Sequence, residues 1–285
     1  PEMALELMNL LRERAIPPDL ESTVFLALEL AGTREAHDAL IRGLDNDHAP
    51  ANRARAAAAL PDIPRPETRT LDALRETARS AVADNPDETR LVRNAAGYAI
   101  GTLEQRTRVS NPALAKQALS DLRSSLGSAR DPQTQAAALD AIGNSGNPAL
   151  LTDVKPLLSS QEGLVRAHAI EAMGHMPPET NQAMFSELIA NEQDPRIRGT
   201  IAATYADQAK RANQPPPPLV VNSAIQQLGR EQDPRVRGLI IDLIGPACAQ
   251  NPQAMQALAG QFKLESDPML LKLIGKWVPA DRLGS

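Results

Sequence analysis

A thirteen-residue pattern that recurs along the chain constrains the fold more than any other feature. Its fullest copy runs from Asp233 to Gly245, with Asp as the N-cap, Pro at the first helical position, Val, Ile and Leu at helical spacing, and Gly as the terminator. Other copies begin at Asp131, Glu162, Asp194 and Asp267. Each copy specifies one complete helix, so the sequence predicts a series of similar helices.

The spacing of these helices indicates a repeat architecture. The starting acids lie 31, 32, 39 and 34 residues apart, and the longest step contains four consecutive prolines. We expect a Pro-rich insertion there, at residues 212–219. A period in the thirties with two helices per unit is typical of an α-solenoid. We therefore predict an all-α fold, a right-handed α–α superhelix of about seven helical pairs plus a C-terminal half repeat.

The earlier part of the chain follows the same plan less regularly. Pro, Gly and Asn separate the helices predicted there, which cover residues 3–16, 20–31, 35–44, 51–60, 67–82, 87–104 and 113–126. Only 2% of residues are aromatic, and most of the apolar ones are Ala, Leu, Ile and Val, which favours close packing of helices. We expect one solenoid domain over 1–285, less regular over 1–130 and regular over 131–285.

The repeated pattern resembles a known repeat family. Asp-Pro-x-Val/Ile-Arg followed by an apolar helix and Gly, as at Asp194–Arg198 and Asp233–Gly245, resembles the inner helix of the HEAT repeat. The resemblance implies a HEAT-like solenoid whose inner helices line a concave face.

A second resemblance rests on three segments that occur in a fixed order: Val24–Thr33, Ala59–Thr68 and Leu139–Pro148. Together they resemble the helical, N-terminal domain of the large lipid transfer proteins, the vitellogenin and microsomal triglyceride transfer protein family. The segment Leu91–Leu103 lies where that family has another helix rich in Ala and Gly. The resemblance implies a curved double layer of helices, flanked in the whole protein by β-structures that hold lipid.

Superposition of the repeats places four arginines in one column. They are Arg93, Arg166, Arg198 and Arg237. This column is either a basic stripe that binds an acidic partner, or a ladder in which each Arg meets an N-cap acid of a neighbouring repeat, such as Asp194 or Asp233. The matching positions of Asp and Arg in adjacent repeats favour the ladder.

Two further columns are candidate binding surfaces. The acidic column comprises Glu29, Asp140, Glu171 and Asp242. It is either a concave strip that binds a basic peptide or the ordinary solvated side of the helices. The most apolar part of the chain contains Ile240, Leu243, Leu270 and Trp277. It is either a docking face for a missing domain or a terminal core that Trp277 closes.

Several function classes lack support in the sequence. The net charge of −5 argues against a broad nucleic-acid surface. No catalytic or phosphate-binding motif occurs, and His168 and His175 have no adjacent third ligand, so we expect no metal and no cofactor. The single cysteine, Cys248, is expected to be an inert thiol. No apolar run has the length of a membrane span.

The sequence therefore favours a non-enzymatic interaction or scaffold module, the helical domain of a larger protein similar to lipid transfer proteins. Its partner is expected to be a protein or an adjacent domain of the same protein. A carrier of lipid or another apolar ligand is the main alternative, and a HEAT-like DNA glycosylase or bilin lyase is less favoured. The lipid-transfer resemblance implies a bacterial envelope or secreted location, and without it a cytoplasmic location is expected.

Overall fold

The computed structural model describes residues 2–80 and 85–283 of the chain. In that part, 17 α-helices follow one another and no β-strand occurs, so the all-α prediction is confirmed. The chain divides into two compact units, unit 1 (1–153) and unit 2 (154–285). The handedness and the single domain stay predictions. Among the described helices, none combines the length and the apolar character needed to cross a bilayer.

Unit 1 consists of two layers of helices. Its helices are α1 (Glu2–Arg12), α2 (Pro18–Ala31), α3 (Arg34–Arg42), α4 (Pro50–Ala59), α5 (Thr68–Arg79), α6 (Pro86–Ser110), α7 (Pro112–Ser128) and α8 (Pro132–Ser145), followed by the short α9 (Leu151–Val154). The even-numbered helices α2 to α8 pack against one another in succession, and the odd-numbered helices pack on them. This is the packing of a helical-repeat protein.

Unit 2 has the same two-layer arrangement. Its helices are α10 (Gly163–Gly174), α11 (Gln182–Asn191), α12 (Pro195–Arg211), α13 (Pro218–Leu228), α14 (Pro234–Ile244), α15 (Pro252–Leu264), α16 (Pro268–Trp277) and α17 (Ala280–Leu283). The helices α10, α12, α14 and α16 form one layer, which we call the even layer, while α11, α13 and α15 form the other. Successive repeats thus bury each other's apolar faces.

The Asp-Pro pairs start helices as predicted. The side chains of Asp194, Asp233 and Asp267 each accept a hydrogen bond from the backbone N–H two residues on, at 2.8 to 2.9 Å. Pro occupies the first helical position in each case, where no intrahelical N–H bond is lost. Asp131 caps α8 in the same way. These starts are set by contacts within three residues and need no tertiary partner.

Several predicted helix ends differ from the structure, most of all those at Ile16 and Glu104. The helix predicted over 3–16 ends at Arg12, because Arg14 takes a left-handed conformation (φ 56°) and the Ala15 N–H bonds back to the Leu10 carbonyl. The helix predicted to end at Glu104 continues to Ser110, since its buried face continues through polar side chains, Glu104 among them. The helix predicted over 67–82 ends at Arg79, where Ser80 takes an extended conformation, and Val82 itself lies outside the described residues.

Gly245 follows the last residue of α14 as predicted, but it lacks the left-handed conformation that usually makes glycine a helix terminator. Gly32 does end α2 in a left-handed conformation, but Gly245 has a right-handed helical φ of −51° and begins a 3-10 turn over Gly245–Ala247. Its backbone lies against the indole ring of Trp277, where a Cβ would stand 2.4 Å from three ring atoms. The position therefore needs glycine because of the close approach of Trp277.

Replacement of Gly245 by alanine is expected to displace the Trp277 ring and to lower the free energy of unfolding by about 1–3 kcal/mol, the usual cost of overpacking. Trp277 is the only tryptophan, so its fluorescence reports the change directly, as a shift to longer wavelength. Gly275→Ala in α16 is the matched control, because nothing lies within 4 Å of a Cβ there. Unchanged emission in Gly245→Ala would contradict the predicted contact.

Two histidines are buried in unit 1. His37 is 3% exposed, and its Nε2 lies 2.9 Å from Thr70 Oγ1 while Arg69 Nη2 lies 3.2 Å from its Nδ1. A neutral ring satisfies both contacts, with Nε2–H donating to Thr70 and Nδ1 accepting from Arg69. His48 is 8% exposed and lies beside Asp47.

Burial lowers the pKa of both rings. For His37 the positive charge of Arg69 acts in the same direction, while Glu67 and Asp38 oppose it. For His48 burial is again the main cause, opposed by Asp47 and Asp45 and assisted by Arg12 and Arg53.

Unit 1 is therefore expected to lose stability as the pH falls below about 6.5, the ordinary histidine pKa. Below that pH the unfolded chain binds protons that the folded unit does not bind, so the free energy of unfolding decreases. Thermal unfolding followed by circular dichroism at about pH 7.5 and about pH 5.5 measures the effect. His37→Gln should reduce the pH dependence, whereas His175→Gln, at an exposed position, should keep it. An equal pH dependence in His37→Gln would refute this account.

Candidate functional site

The arginine column of unit 2 forms a ladder of ion pairs. Arg198 Nε and Nη2 donate to the two carboxylate oxygens of Glu231 at 2.6 and 2.9 Å. Arg237 does the same with Glu265 at 2.9 and 3.0 Å. Arg166 Nε donates to Glu192, in the loop before α12, at 3.2 Å. Each pair joins one helix of the even layer to the loop that starts the next one.

Each of these arginines also binds its own loop. The Nη1 group of Arg198 donates to the carbonyls of Glu192 and Gln193, six and five residues earlier. Arg166 and Arg237 make the same two contacts one repeat away. The side chain can reach back because a helical Cβ points toward the helix N-terminus.

The acids of the ladder are Glu192, Glu231 and Glu265. Each lies two residues before an N-cap Asp and accepts the backbone N–H of that Asp. Burial alone would raise the pKa of Glu231, but hydrogen bonds from Arg198 and Gln227 lower it to about 2. The bonds from Arg237 likewise lower the pKa of Glu265 to about 2. Both carboxylates are thus ionised and held in place at neutral pH.

The ladder partner is therefore a Glu, and the expectation of an N-cap Asp as the partner is wrong. The signal that identifies it is Glu-x-Asp-Pro, which occurs at Glu192–Pro195, Glu231–Pro234 and Glu265–Pro268. Leu271 stands at the arginine position of the last copy, so the described ladder ends at Glu265. The guanidinium groups of the ladder are committed to structural contacts and are poorly placed to bind a partner.

Arg93 has a different environment in unit 1. Its Nε donates to the carbonyl of Ser80 at 2.5 Å, and its Nη2 donates to the carbonyl of Arg79 at 3.2 Å. The residue is exposed on α6. Arg93 therefore ties α6 to the end of α5 through backbone oxygens.

The acidic column is divided between the two units. In unit 1, Glu29 and Asp140 are half-buried on α2 and α8. Burial raises the pKa of Glu29, and the nearby charge of Asp62 acts in the same direction. In unit 2, Glu171 and Asp242 are exposed in the last turns of α10 and α14. Only these two belong to the surface described below.

The apolar docking candidates lie mostly in the core. Ile240, Leu243 and Leu270 are at most 7% exposed, because α13 and α16 pack against α14 and cover this face. The expected docking surface is therefore absent at these three positions in the structure. Trp277 is half-buried, with its ring against Gly245 and the Lys276 Nζ 4.6 Å from the ring centroid.

A groove runs over the even layer of unit 2. It consists of two adjoining depressions with volumes of about 580 and 740 Å³ that share Ala203, Asp207 and Leu239. We call it the unit 2 groove. Small or apolar side chains form much of its lining between α12 and α14, and these are Gly199, Thr200, Ala203, Val236 and Leu239. The first depression begins at α10, and the second reaches Trp277.

Charged residues lie at both ends of the helices that form this groove. Arg196 and Arg235 stand in the first turns of α12 and α14, and both side chains are 89% exposed. Glu171, Asp207 and Asp242 lie toward the C-terminal ends of the helices. Eleven residues of helix separate Arg196 from Asp207, a distance of about 16 Å along the axis. The groove thus has a basic edge at the first turns of α12 and α14, whereas its other end carries charges of both signs, because Lys210, Arg211 and Lys276 also line it.

The basic edge is absent from the sequence predictions. Arg196 and Arg235 directly follow the Pro of two Asp-Pro pairs, at equivalent positions of adjacent repeats. Each precedes an apolar residue that is buried, Ile197 or Val236, so the arginine itself points away from the core. The repeated Asp-Pro-Arg triplet is the signal in the sequence that could have identified this edge.

The groups with the largest pKa shifts outside the ladder are buried. Burial raises the pKa of the Cys248 thiol to about 11, so it is protonated at neutral pH. Burial also raises the pKa of the Tyr205 hydroxyl to about 12, and its ring contacts Phe185 edge to face. Both side chains serve the core of unit 2 and do not provide a nucleophile or base at its surface.

Comparison with solved structures places the chain among helical-repeat proteins. A chain of the AP-3 complex, from a homology model of the full-length complex in an intermediate open conformation, matches 95% of this chain at 19% identity with a TM-score of 0.50. Our chain spans half the length of that AP-3 chain. Human deoxyhypusine hydroxylase in complex with glycerol matches 86% of this chain, and 96% of its own length, at 14% identity and a TM-score of 0.36.

The family comparison is more specific. No curated protein sequence matches the chain significantly. The family model of the vitellogenin TPR domain matches residues 6–239, which is more than half of the chain. This match confirms the resemblance to the helical domain of vitellogenin, and an all-helical repeat fold agrees with it. The chain belongs to the vitellogenin TPR domain family.

Proposed function

We propose that the chain is a non-enzymatic interaction module, the helical domain of a larger protein similar to lipid transfer proteins. Its role is to bind a segment of a protein partner, or of an adjacent domain, in the unit 2 groove. The single observation that carries this proposal is the groove itself, with its small-residue floor between charged edges. A helical-repeat domain fits such a role, since repeats present extended surfaces.

The floor of the groove suits a peptide backbone. Thr200 and Ala203 have short, half-buried side chains, so a partner segment can approach α12 closely. Leu239 offers apolar contact area, and the charged edges supply orientation. Affinity would come from many shallow contacts rather than from one deep pocket.

The ladder beneath the edge supports the same proposal. Arg198 and Arg237 join α12, α14 and the loop before α16 through bidentate contacts with Glu231 and Glu265. These contacts fix neighbouring helices relative to one another within unit 2. A surface that is rigid before binding loses less conformational entropy when the partner arrives.

The test uses a display library of random peptides selected on the full chain. We expect enriched peptides that bind the chain and lose binding in two variants that fill the groove, Ala203→Trp and Thr200→Tyr. Gln226→Trp, at an exposed position on α13 in the other layer, is the matched control and should bind as the original chain does. Circular dichroism of each variant checks that the fold is retained.

Two results would overturn the proposal. One is a set of peptides whose affinity is unchanged by both groove-filling variants. The other is stoichiometric lipid in native mass spectra of the purified chain, displaced by filling the same groove, which would favour lipid carriage instead. The charged lining of the groove makes the second result unexpected, because burying charges against acyl chains is costly.

A further inference from the structure

We infer that the partner segment in the unit 2 groove is acidic along one side and that its carboxylates bind Arg196 and Arg235. This inference rests on the proposed function and specifies the chemistry of the partner. It follows from three observations on the described residues: which arginines can turn toward solvent, what lies around them, and how far apart the repeats place them.

Arg196 and Arg235 have highly exposed side chains at the groove edge, at 89% each. Each contacts its own N-cap Asp in an ion pair, at 3.3 Å for Arg196 and Asp194 and at 3.4 Å for Arg235 and Asp233. Exposed ion pairs of this kind contribute little to stability. Either guanidinium can therefore turn toward a ligand at small cost.

The N-cap acids lie deeper than the arginines of the basic edge. Asp194 and Asp233 are three-quarters buried and accept the backbone N–H groups of Arg196 and Arg235. These hydrogen bonds and the adjacent arginines keep the pKa of both carboxyls below its usual range. Each carboxylate thus binds the N-terminus of its helix, while each guanidinium, at the end of a longer and more exposed side chain, extends beyond it.

The deeper arginine column cannot take this role. Arg198 and Arg237 are 16% and 17% exposed, and their guanidinium groups are occupied by Glu231 and Glu265. The charges at the C-terminal end of α12, Asp207 among them, lie too far away to interfere, since about 16 Å of helix is roughly twice the Debye length at physiological salt. A carboxylate placed at the first turns of α12 and α14 meets mainly positive charge.

The repeat geometry sets the spacing of the carboxylates. Adjacent packed helices lie about 8–10 Å apart, so Arg196 and Arg235 present charges at about that interval. A polyproline II segment repeats its side chains every three residues and rises about 9 Å over them. Acidic residues at positions i and i+3 of such a segment therefore face both arginines at once.

The experiment measures binding of a fluorescent peptide of Glu-Pro-Pro repeats to the full chain by anisotropy. We expect binding that weakens as salt is raised and that becomes at least about tenfold weaker in the double variant Arg196→Glu/Arg235→Glu. A peptide of Lys-Pro-Pro repeats should bind poorly to the original chain and gain affinity for the double variant. That exchange of preference cannot arise from misfolding.

Arg42→Glu/Arg282→Glu is the matched control, because it makes the same charge change at exposed positions outside the groove. It should bind the Glu-Pro-Pro peptide as the original chain does. Equal loss of binding in the control variant would show that the loss comes from the change in net charge alone, and it would overturn the inference. So would a Glu-Pro-Pro peptide that does not bind the original chain.

The outcomes separate this inference from the proposed function. Library peptides that bind the groove but keep full affinity for Arg196→Glu/Arg235→Glu would refute the acidic partner and leave the groove as a binding site. If the library peptides and the Glu-Pro-Pro peptide keep full affinity for the Ala203→Trp and Thr200→Tyr variants, both this inference and the proposed function are refuted.

Discussion

Replacement of Arg198 by alanine is expected to lower the free energy of unfolding of unit 2 by about 3 kcal/mol, because it leaves a buried carboxylate without its counter-charge. The Glu231 side chain is 1% exposed and would retain only Gln227 Nε2 and the Asp233 N–H as donors. Urea unfolding followed by circular dichroism measures the loss. The change also severs the contact that joins α12 to the loop before α14.

The control for this prediction lies two residues away. Arg196→Ala removes the same chemical group from an 89% exposed position, so we expect a change below about 0.5 kcal/mol. Adding Glu231→Gln to Arg198→Ala should recover part of the loss, since a neutral amide is less costly to bury than a carboxylate. Similar losses for Arg198→Ala and Arg196→Ala would show that the ladder does not stabilise unit 2.

Replacement of Gly101 by alanine is expected to destabilise unit 1 by about 3 kcal/mol, at the upper end of overpacking costs. A Cβ at Gly101 would stand 2.2 Å from the backbone oxygen of Ala141, so α6 and α8 would have to separate. Backbone atoms in a helix cannot rotate out of the way as a side chain can. Urea unfolding of the full chain reports the loss.

Gly127→Ala provides a contrasting result in the same unit. It lies in α7 with nothing within 4 Å of a Cβ, so alanine should stabilise the helix by up to about 1 kcal/mol. If Gly101→Ala lowers the free energy of unfolding and Gly127→Ala raises it, the loss at position 101 comes from the close approach of α8 and not from replacing a helical glycine as such. A loss below about 1 kcal/mol in Gly101→Ala would contradict the packing described for α6 and α8.

The two predictions depend on different kinds of information. Arg198 belongs to a column visible in the sequence, and the matched repeat of Asp and Arg by itself favours a ladder. Its true acceptor, Glu231, also repeats in the sequence, but only the packing of α12 against the next loop shows that the two meet. Gly101 carries no such signal, because its need for glycine comes from Ala141, forty residues away.

The candidate groove is predictable only in part. The acidic positions Glu171 and Asp242 are candidates from the sequence, and both lie on the groove lining. The sequence prediction covers only the second arginine of each Asp-Pro-Arg-x-Arg segment, which it assigns to a ladder, and it leaves out the first. Helical periodicity does not say which long side chain is used by a neighbour and which faces solvent. The sequence makes Ile240 and Leu243 docking candidates because it does not show that other helices, α13 and α16, pack on α14 and cover them.

What the sequence determined by itself was the series of helices and their starts. An Asp-Pro cap such as Asp233-Pro234 is satisfied by N–H groups within three residues, so it forms wherever the sequence occurs. What only the tertiary structure decided was the role of each long or apolar side chain: Arg198 in the ladder, Arg196 at the surface, Leu270 in the core. The physical reason is that capping is a local hydrogen bond, whereas burial and ion pairing depend on groups that the chain brings together from one repeat to the next.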